Sequence, residues 1–194
     1  MRARALVALA APLAALVTAC GGPKPPAHVT AFVNAAPKGS VPVVAFIDFE
    51  CSFCRIAHAR LEAAAAAKGA TLSVDYRHVP LRSHPHATEA AAAQVCAAEQ
   101  GRGTEAVHAL LAVGPEGHDV EHLLQLARQL ELHEERFTTC MASDSTRARL
   151  ASDRKLFIDA QFDGVPVMFV GTELLDGTRS LVEYEAAVEK ARKR

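Results

Sequence analysis

The sequence predicts an α/β domain: a central mixed sheet flanked by helices and interrupted by an all-helical subdomain. Three observations predict it. Residues 41–77 read as strand, helix, strand. Residues 85–149 give four helical pieces and no strand signal. From Ser152 onward the pattern returns as helix, two short strands and a final helix. The sheet-bearing module, expected over 29–194, is therefore split, with the helical insertion at about 84–150.

The elements justify themselves in order. Val29 to Val33 is apolar and β-branched and is expected as a short first strand, with Pro37 and Gly39 in the turn after it. Val41 to Phe49 is almost continuously apolar, which suits a central strand buried on both faces. A helix is expected from about Cys51 to Lys68, stopped by Gly69 as a C-terminal cap. Thr71 to Arg77 alternates as the next strand, and a right-handed crossover makes it parallel to the first. Pro80 ends it. Ala87 to Gln100 is alanine-rich and helical, ended by Gly101 and Gly103. Thr104 to Val113 follows and stops at Gly114-Pro115. Asp119 caps Val120 to Leu130, whose Leu123, Leu126, Ala127 and Leu130 form one stripe. Glu134 to Ala142 is a short helix carrying Cys140, and Ser152 to Gln161 returns as helix. A strand follows Pro166, with Glu173-Leu174-Leu175 as its hairpin partner. Ser180 caps the last helix, whose basic final turn suits a helix C-terminus.

Composition narrows the function classes. The chain of 194 residues has formal net charge −1 and no dense basic patch, so nucleic acid is not an expected partner. Its N-terminus reads as an export signal. Arg2 and Arg4 precede an apolar run from Leu6 to Val17, too short for a membrane span. Val17-Thr18-Ala19-Cys20 resembles the bacterial lipobox. Residues 1–19 are then a lipoprotein signal peptide, and Cys20 is the lipidated first residue of the mature chain. Residues 20–28 form a Gly/Pro-rich tether able to reach roughly 26 Å when extended. The alternative at this point is ordinary cleavage after Ala19, leaving Cys20 a free thiol.

Of five cysteines, four remain once Cys20 is set aside, in an exported protein where disulfides persist. Spacing favours Cys51 with Cys54, leaving Cys96 with Cys140 as a structural disulfide across the insertion, worth on the order of 4 kcal/mol in the chain-entropy model. Cys51-Ser52-Phe53-Cys54 sits where a buried strand ends and a helix begins. Helix N–H groups there lower the pKa of the first sulfur toward a reactive thiolate.

Three features in sequence resemble the DsbA-like thiol:disulfide oxidoreductase branch of the thioredoxin superfamily, over about residues 29–194. Phe46 to Cys54 resembles the active-site strand and helix start. Arg77-His78-Val79-Pro80-Leu81, then His84-Pro85, resembles the approach to the helical insertion. Gly164-Val165-Pro166 resembles the loop that carries a cis proline. The resemblance implies a thioredoxin-like fold and a catalytic set of Cys51, Cys54 and Pro166. Cys51 is the exposed nucleophile and Cys54 the resolving thiol. Val165, whose backbone is free to pair with a substrate strand, Ser52 and Phe53 form the substrate-binding surface. It implies no cofactor and no metal. Expected partners are cysteine-containing exported clients, a redox recycling partner and, through Cys20, a bacterial cell membrane facing the periplasm; the protein is expected to be a monomer. Valine before the proline leans toward an oxidase. Two departures bear on tuning: Ser52 stands where the family usually has Pro, and Ala45 where thioredoxin-like proteins often bury an acid. Asp48 and Glu50 are nearer in sequence and alternate onto one face.

The competing class is a redox-inert thioredoxin-fold lipoprotein that binds a metal or a protein partner. Cys51, Cys54 and His58 have metal-ligand spacing but no evident fourth ligand. His84 with His86, and His118 with His122, are expected as solvated surface pairs. Arg55 after Cys54 excludes a c-type haem motif.

Overall fold

A computed structural model of the chain describes residues 24–193. The expected signal segment, the expected lipid site at Cys20 and residues 21–23 lie outside the described residues. In chain order the elements are α1 (Ala27–Ala35), β1 (Ser40–Ile47), α2 (Ser52–Ala67), β2 (Thr71–His78), α3 (Ala87–Glu99) and α4 (Gly103–Ala112). A 3-10 turn (Pro115–His118) leads to α5 (Val120–Gln129), α6 (Glu134–Met141), α7 (Asp144–Asp159), β3 (Val167–Val170), β4 (Glu173–Asp176) and α8 (Leu181–Arg192). The sheet order is β2-β1-β3-β4. β1 runs parallel to β2, from Ser40 opposite Thr71 to Ile47 opposite His78, and antiparallel to β3, which forms a hairpin with β4.

The apolar run of β1 is explained by cover on both faces. Val41, Val43, Ala45 and Ile47 pack in one core with Leu61 of α2 and Tyr184 and Val188 of α8. Val44 and Phe46 pack in a second core with Val29, Val33 and Phe157. Phe46 is fully buried and meets the rings of Phe157 and Phe162 at 5.8 and 5.7 Å. Burying such a side chain is worth about 2–3 kcal/mol. Strand alternation thus sends one set of side chains toward α2 and α8 and the other toward α1 and α7.

Two sequence expectations are corrected here. Val29 to Val33 belongs to a helix, α1, not to a strand. β1 is already paired on both sides, by β2 and β3. At a spacing of four, Val29 and Val33 lie on the one helix face that closes over Val44 and Phe46. The last two residues of the expected tether, Ala27 and His28, are already helical, and the His28 ring sits edge-on to Phe46 at 5.8 Å. The second correction concerns the end of the insertion. No break occurs near residue 150: α7 runs unbroken from Asp144, capped by the Ser143 hydroxyl, which accepts from the Thr146 N–H. That stretch contains neither Gly nor Pro, so nothing in it stops a helix.

The insertion is held by an alanine-rich core and a cross-link. Ala90, Ala93 and Ala97 of α3 are fully buried. The α3–α4 turn needs Gly103, because a Cβ there would lie 2.7 Å from that of Ala98. Cys96 of α3 and Cys140 of α6 form a disulfide across a sequence separation of 44. α7 is fastened to β2 by a buried charge cluster. Asp153 of α7, fully buried, accepts hydrogen bonds from the His78 backbone N–H at 3.2 Å and His78 Nδ1 at 3.0 Å. It also accepts from Arg77 at 3.1 Å and from Arg149 at 3.1 Å. Among the described residues, no helix is long and apolar enough to cross a membrane.

Candidate active site

The site is built at the end of β1. Asp48, just past the strand, is buried and accepts from the N–H groups of Glu50 and Leu81, each at 2.8 Å, and from Nδ1 of His84 at 2.9 Å. This carboxylate clamps the end of β1 to the segment after β2. Cys51 donates its N–H to the Asp48 carbonyl at 3.2 Å and becomes the N-cap of α2, in an extended conformation with no side-chain cap hydrogen bond. The amides of the first turn are therefore free to face its sulfur.

Electrostatics separate the two thiols. The Cys51 pKa is lowered to about 6. The largest cause is the hydrogen bond with the Cys54 thiol; the backbone N–H groups of Cys54 and Phe53 add to it, against burial and the Asp48 charge. Burial pushes the fully covered Cys54 thiol up, and the neighbouring Cys51 sulfur pushes it further. The Asp48 backbone N–H donates to the Cys54 sulfur at 3.4 Å. The surroundings thus favour ionisation of Cys51 and oppose that of Cys54.

The loop before β3 closes the site from the far side of the sequence. The Val165–Pro166 bond is cis, and the Val165 carbonyl lies 4.0 Å from the Cys51 sulfur. The structure therefore brings Cys51, Cys54, Val165 and Pro166 together. Ser52 and Phe53 face outward, with Phe53 59% exposed and Ile56 beside it on α2 also exposed. Cys96 and Cys140 are bonded to each other within the insertion. Cys51 itself departs from the expectation of an exposed sulfur: it is only 6% exposed, with the Val165 carbonyl 4.0 Å from its sulfur.

The nearby acids and histidines are redistributed. Ala45 is buried inside β1, so no carboxylate stands at that position. Asp48 contacts Cys54 through its backbone N–H, and its charge adds to the rise of the Cys54 pKa. Glu50 is buried and accepts from the His86 N–H at 3.2 Å, with His118 Nδ1 3.9 Å away. His58 is not grouped with the two cysteines; its Nε2 lies 3.0 Å from the Tyr76 hydroxyl. In each expected surface pair one histidine is corrected, while His122 is exposed as expected. His84 is tied to Asp48, and His118 is fully buried with Nε2 3.0 Å or less from a carbonyl, that of Leu110 at 2.9 Å. The 3-10 turn folds His118 under the insertion, which spacing in sequence did not show. Sequence reasoning also missed the Asp48–His84 clamp and Thr178, whose hydroxyl donates to the Phe53 carbonyl at 3.4 Å. Two acids at the end of an otherwise apolar strand were the available signal for the clamp; Thr178 had none.

The Cys51 shift sets a pH dependence. In the reduced protein, thiolate ultraviolet absorbance is expected to titrate near pH 6 as a single group, because Cys54 stays protonated. A folded value below the ordinary 9.0 stabilises the reduced fold. That contribution is fully present above about pH 9 and is lost as pH falls through about 6. Denaturant unfolding of the reduced and oxidised forms at several pH values measures it, since the oxidised form has no such thiolate. A midpoint at the ordinary thiol value would contradict the geometry.

A thioredoxin-fold sheet with a Cys-x2-Cys pair at the first helix N-terminus and a cis proline loop beside it defines a class of redox-active domain. The chain belongs to the DSBA-like thioredoxin domain family, whose model matches residues 42–189. A solved thioredoxin-like oxidoreductase from Silicibacter pomeroyi is 28% identical, with a TM-score of 0.69 over 81% of this chain and 90% of that one. The thiol-disulfide exchange protein alpha-DsbA2 from Wolbachia pipientis, 19% identical, shares the fold with a TM-score of 0.68 over 80% and 83% of the two chains. A protein named Na(+)/H(+) antiporter NhaA 3, from Salinispora tropica, is 33% identical over 159 residues, 78% of this chain and 23% of that protein. The chain spans about a quarter of the length of the curated relatives it matches, and antiport stays a property of those proteins.

Proposed function

We propose that the protein is a thiol:disulfide oxidoreductase that exchanges disulfides with exported proteins through Cys51 and Cys54, running chiefly as an oxidase. The observation that carries this is the asymmetry of the pair: Cys51 caps α2 beside the cis Val165–Pro166 bond with its pKa lowered, while Cys54 is fully buried below the Asp48 N–H with its pKa raised. In the oxidised form a client thiolate attacks the Cys51 sulfur, the Cys51–Cys54 bond breaks, and Cys54 leaves and takes up a proton. A second client thiolate then attacks the client sulfur of the mixed disulfide. The client gains its disulfide, and Cys51 leaves as the stabilised thiolate. Two electrons pass from client to protein, and a recycling partner of matching chemistry must remove them. A stabilised Cys51 thiolate favours the reduced protein and so makes the disulfide an oxidant.

The exposed ring of Phe53 and the exposed Ile56 offer an apolar landing surface around the covered sulfur. The Val165 backbone supports an extended client strand beside it. Export and anchoring through Cys20 rest on the N-terminal sequence, and the Cys96–Cys140 disulfide suits an oxidising compartment. A redox-inert role leaves the depressed Cys51 value without a use.

Equilibration with glutathione tests the direction. The pair is expected to be more oxidising than thioredoxin, roughly between −270 and −120 mV, and to form disulfides in a reduced, unfolded client. A value below the thioredoxin range, or a pair that does not exchange with glutathione, overturns the oxidase reading.

A further inference from the structure

Away from the cysteines, one cluster of side chains has the chemistry of a metal site. His58 and Glu62 lie one turn apart on α2, and His108 faces them from α4. Nε2 of His58 and Nε2 of His108 each lie 3.7 Å from Oε1 of Glu62, and the three atoms are all within 4.8 Å of one another. The two imidazole rings meet at an interplanar angle of 68°, with centroids 5.5 Å apart. Nε2 of both histidines approaches the same carboxylate oxygen, and Nε2 of His58 also meets the Tyr76 hydroxyl at 3.0 Å.

We propose that His58, Glu62 and His108 form a binding site for a divalent transition-metal ion of the zinc type, joining the active-site helix to the helical insertion. The donor set is two imidazoles and one carboxylate, with no sulfur. That set suits Zn²⁺ in a site with three protein ligands and an open position for water. In a tetrahedral site with bonds of about 2.0–2.2 Å, the ligand atoms stand roughly 3.3–3.5 Å apart. The two 3.7 Å separations to Glu62 need to close by a few tenths of an ångström, and the two imidazole nitrogens, within 4.8 Å of each other, by up to about 1.5 Å. Glu62 and His108 are exposed enough to make that adjustment, with side chains 43% and 51% accessible. His58 is fixed: its side chain is 8% accessible.

The surroundings fit the same reading. A cleft of ≈ 330 Å³ opens beside Glu62 and His108, lined also by Tyr76 and Thr104 and by the apolar Ala65, Leu72 and Val74, and gives room for solvent ligands. Tyr76, whose hydroxyl lies 3.0 Å from His58 Nε2, holds that nitrogen and would have to release it for the imidazole to take an ion. The Glu62–His108 pair is the polar contact between α2 and α4 among the described residues. A bound ion replaces it with two coordinate bonds and ties the insertion to the helix that begins at Cys51. The site uses neither cysteine, so it stands independently of the exchange reading.

The test uses the oxidised full chain with any free thiol alkylated, so that no thiolate competes for the ion. Titration with Zn²⁺, read by calorimetry and by the rise in Tm, is expected to give one site per chain. Co²⁺ at the same site is expected to show visible ligand-field bands, which solvated ion in a six-water shell shows only weakly. His108→Ala and Glu62→Gln, both at accessible side chains, are each expected to weaken binding roughly tenfold or more and to remove the Tm rise. Circular dichroism checks that each variant is folded. No saturable binding below about 1 mM free Zn²⁺ overturns the proposal. So does binding that both variants leave unchanged, which assigns the ion to other surface histidines.

Discussion

Cys51→Ser is expected to abolish disulfide exchange, lowering the rate by on the order of 10³-fold or more, because a serine hydroxyl forms no disulfide and ionises far above the thiol range. The contrast with Cys54→Ser carries the assignment of roles. Cys54 is fully buried, its pKa is raised, and it lies below the Asp48 backbone N–H. Its replacement leaves Cys51 able to attack a client disulfide but removes the thiol that resolves the product. Cys54→Ser is therefore expected to accumulate a mixed disulfide with client, visible on a non-reducing gel, whereas Cys51→Ser traps nothing. The readouts are oxidative refolding of a reduced client and gel capture of the covalent complex. Equal trapping by both variants would show the two sulfurs to be equivalent, contrary to the 6% exposure of one, the complete burial of the other and their opposite shifts.

Asp153→Ala is expected to have the largest effect on stability, a loss of about 3 kcal/mol or more, in the range seen when one partner of a buried pair is removed. The His78 ring, 1% exposed, loses the acceptor of its Nδ1 and keeps only Gln94 at Nε2, 2.9 Å away. Arg149 and Arg77 lose a carboxylate that each reaches at 3.1 Å, and Asp75 remains for both. Burial opposes ionisation of Asp153, but the hydrogen bonds and charges of His78, with Arg149, outweigh it and hold the carboxyl below its ordinary value of 3.8. The sign follows. The ionised group stabilises the fold at all pH values above the unfolded value near 3.8, and the contribution is lost as pH falls through the lower folded value. The difference between Asp153→Ala and the parent is therefore expected to be full at pH 7 and to narrow in acid. Urea unfolding at neutral and acid pH measures both ends. Asp153→Asn, which keeps an acceptor without the charge, is expected to fall between them. No loss of stability at neutral pH in Asp153→Ala would mean that the cluster does not hold α7 to β2.

Much of the site was legible in the chain because it is local. A buried apolar strand, two cysteines at a helix start and Gly164-Val165-Pro166 before a second apolar strand each occupy a few consecutive residues. Their geometry is set by backbone preferences acting over that distance. The hairpin after Pro166, the Asp119 and Ser180 caps and the Gly69 stop were legible for the same reason: each is a side-chain or backbone bond within a few residues. Val29 to Val33 was misread because its β-branched residues suit a strand locally. What overrules that preference is the absence of a free edge beside β1 and the hydrophobic cover that Val44 and Phe46 require.

The sequence by itself determined the mixed α/β plan, the split by a helical insertion, the Cys-x2-Cys junction and the pairing of Cys96 with Cys140 by spacing. Only the tertiary structure decided what surrounds these features. It placed the Val165 carbonyl over Cys51, sent the Asp48 carboxylate to Leu81 and His84 and left Cys54 its backbone N–H, and buried His118. It also brought His108 of the insertion against His58 and Glu62 of α2. The physical reason is range. Strand and helix patterns follow from neighbours in the chain, whereas a thiol pKa, a buried ion pair and a cluster of ligands depend on groups that meet only when the sheet and the insertion close on each other.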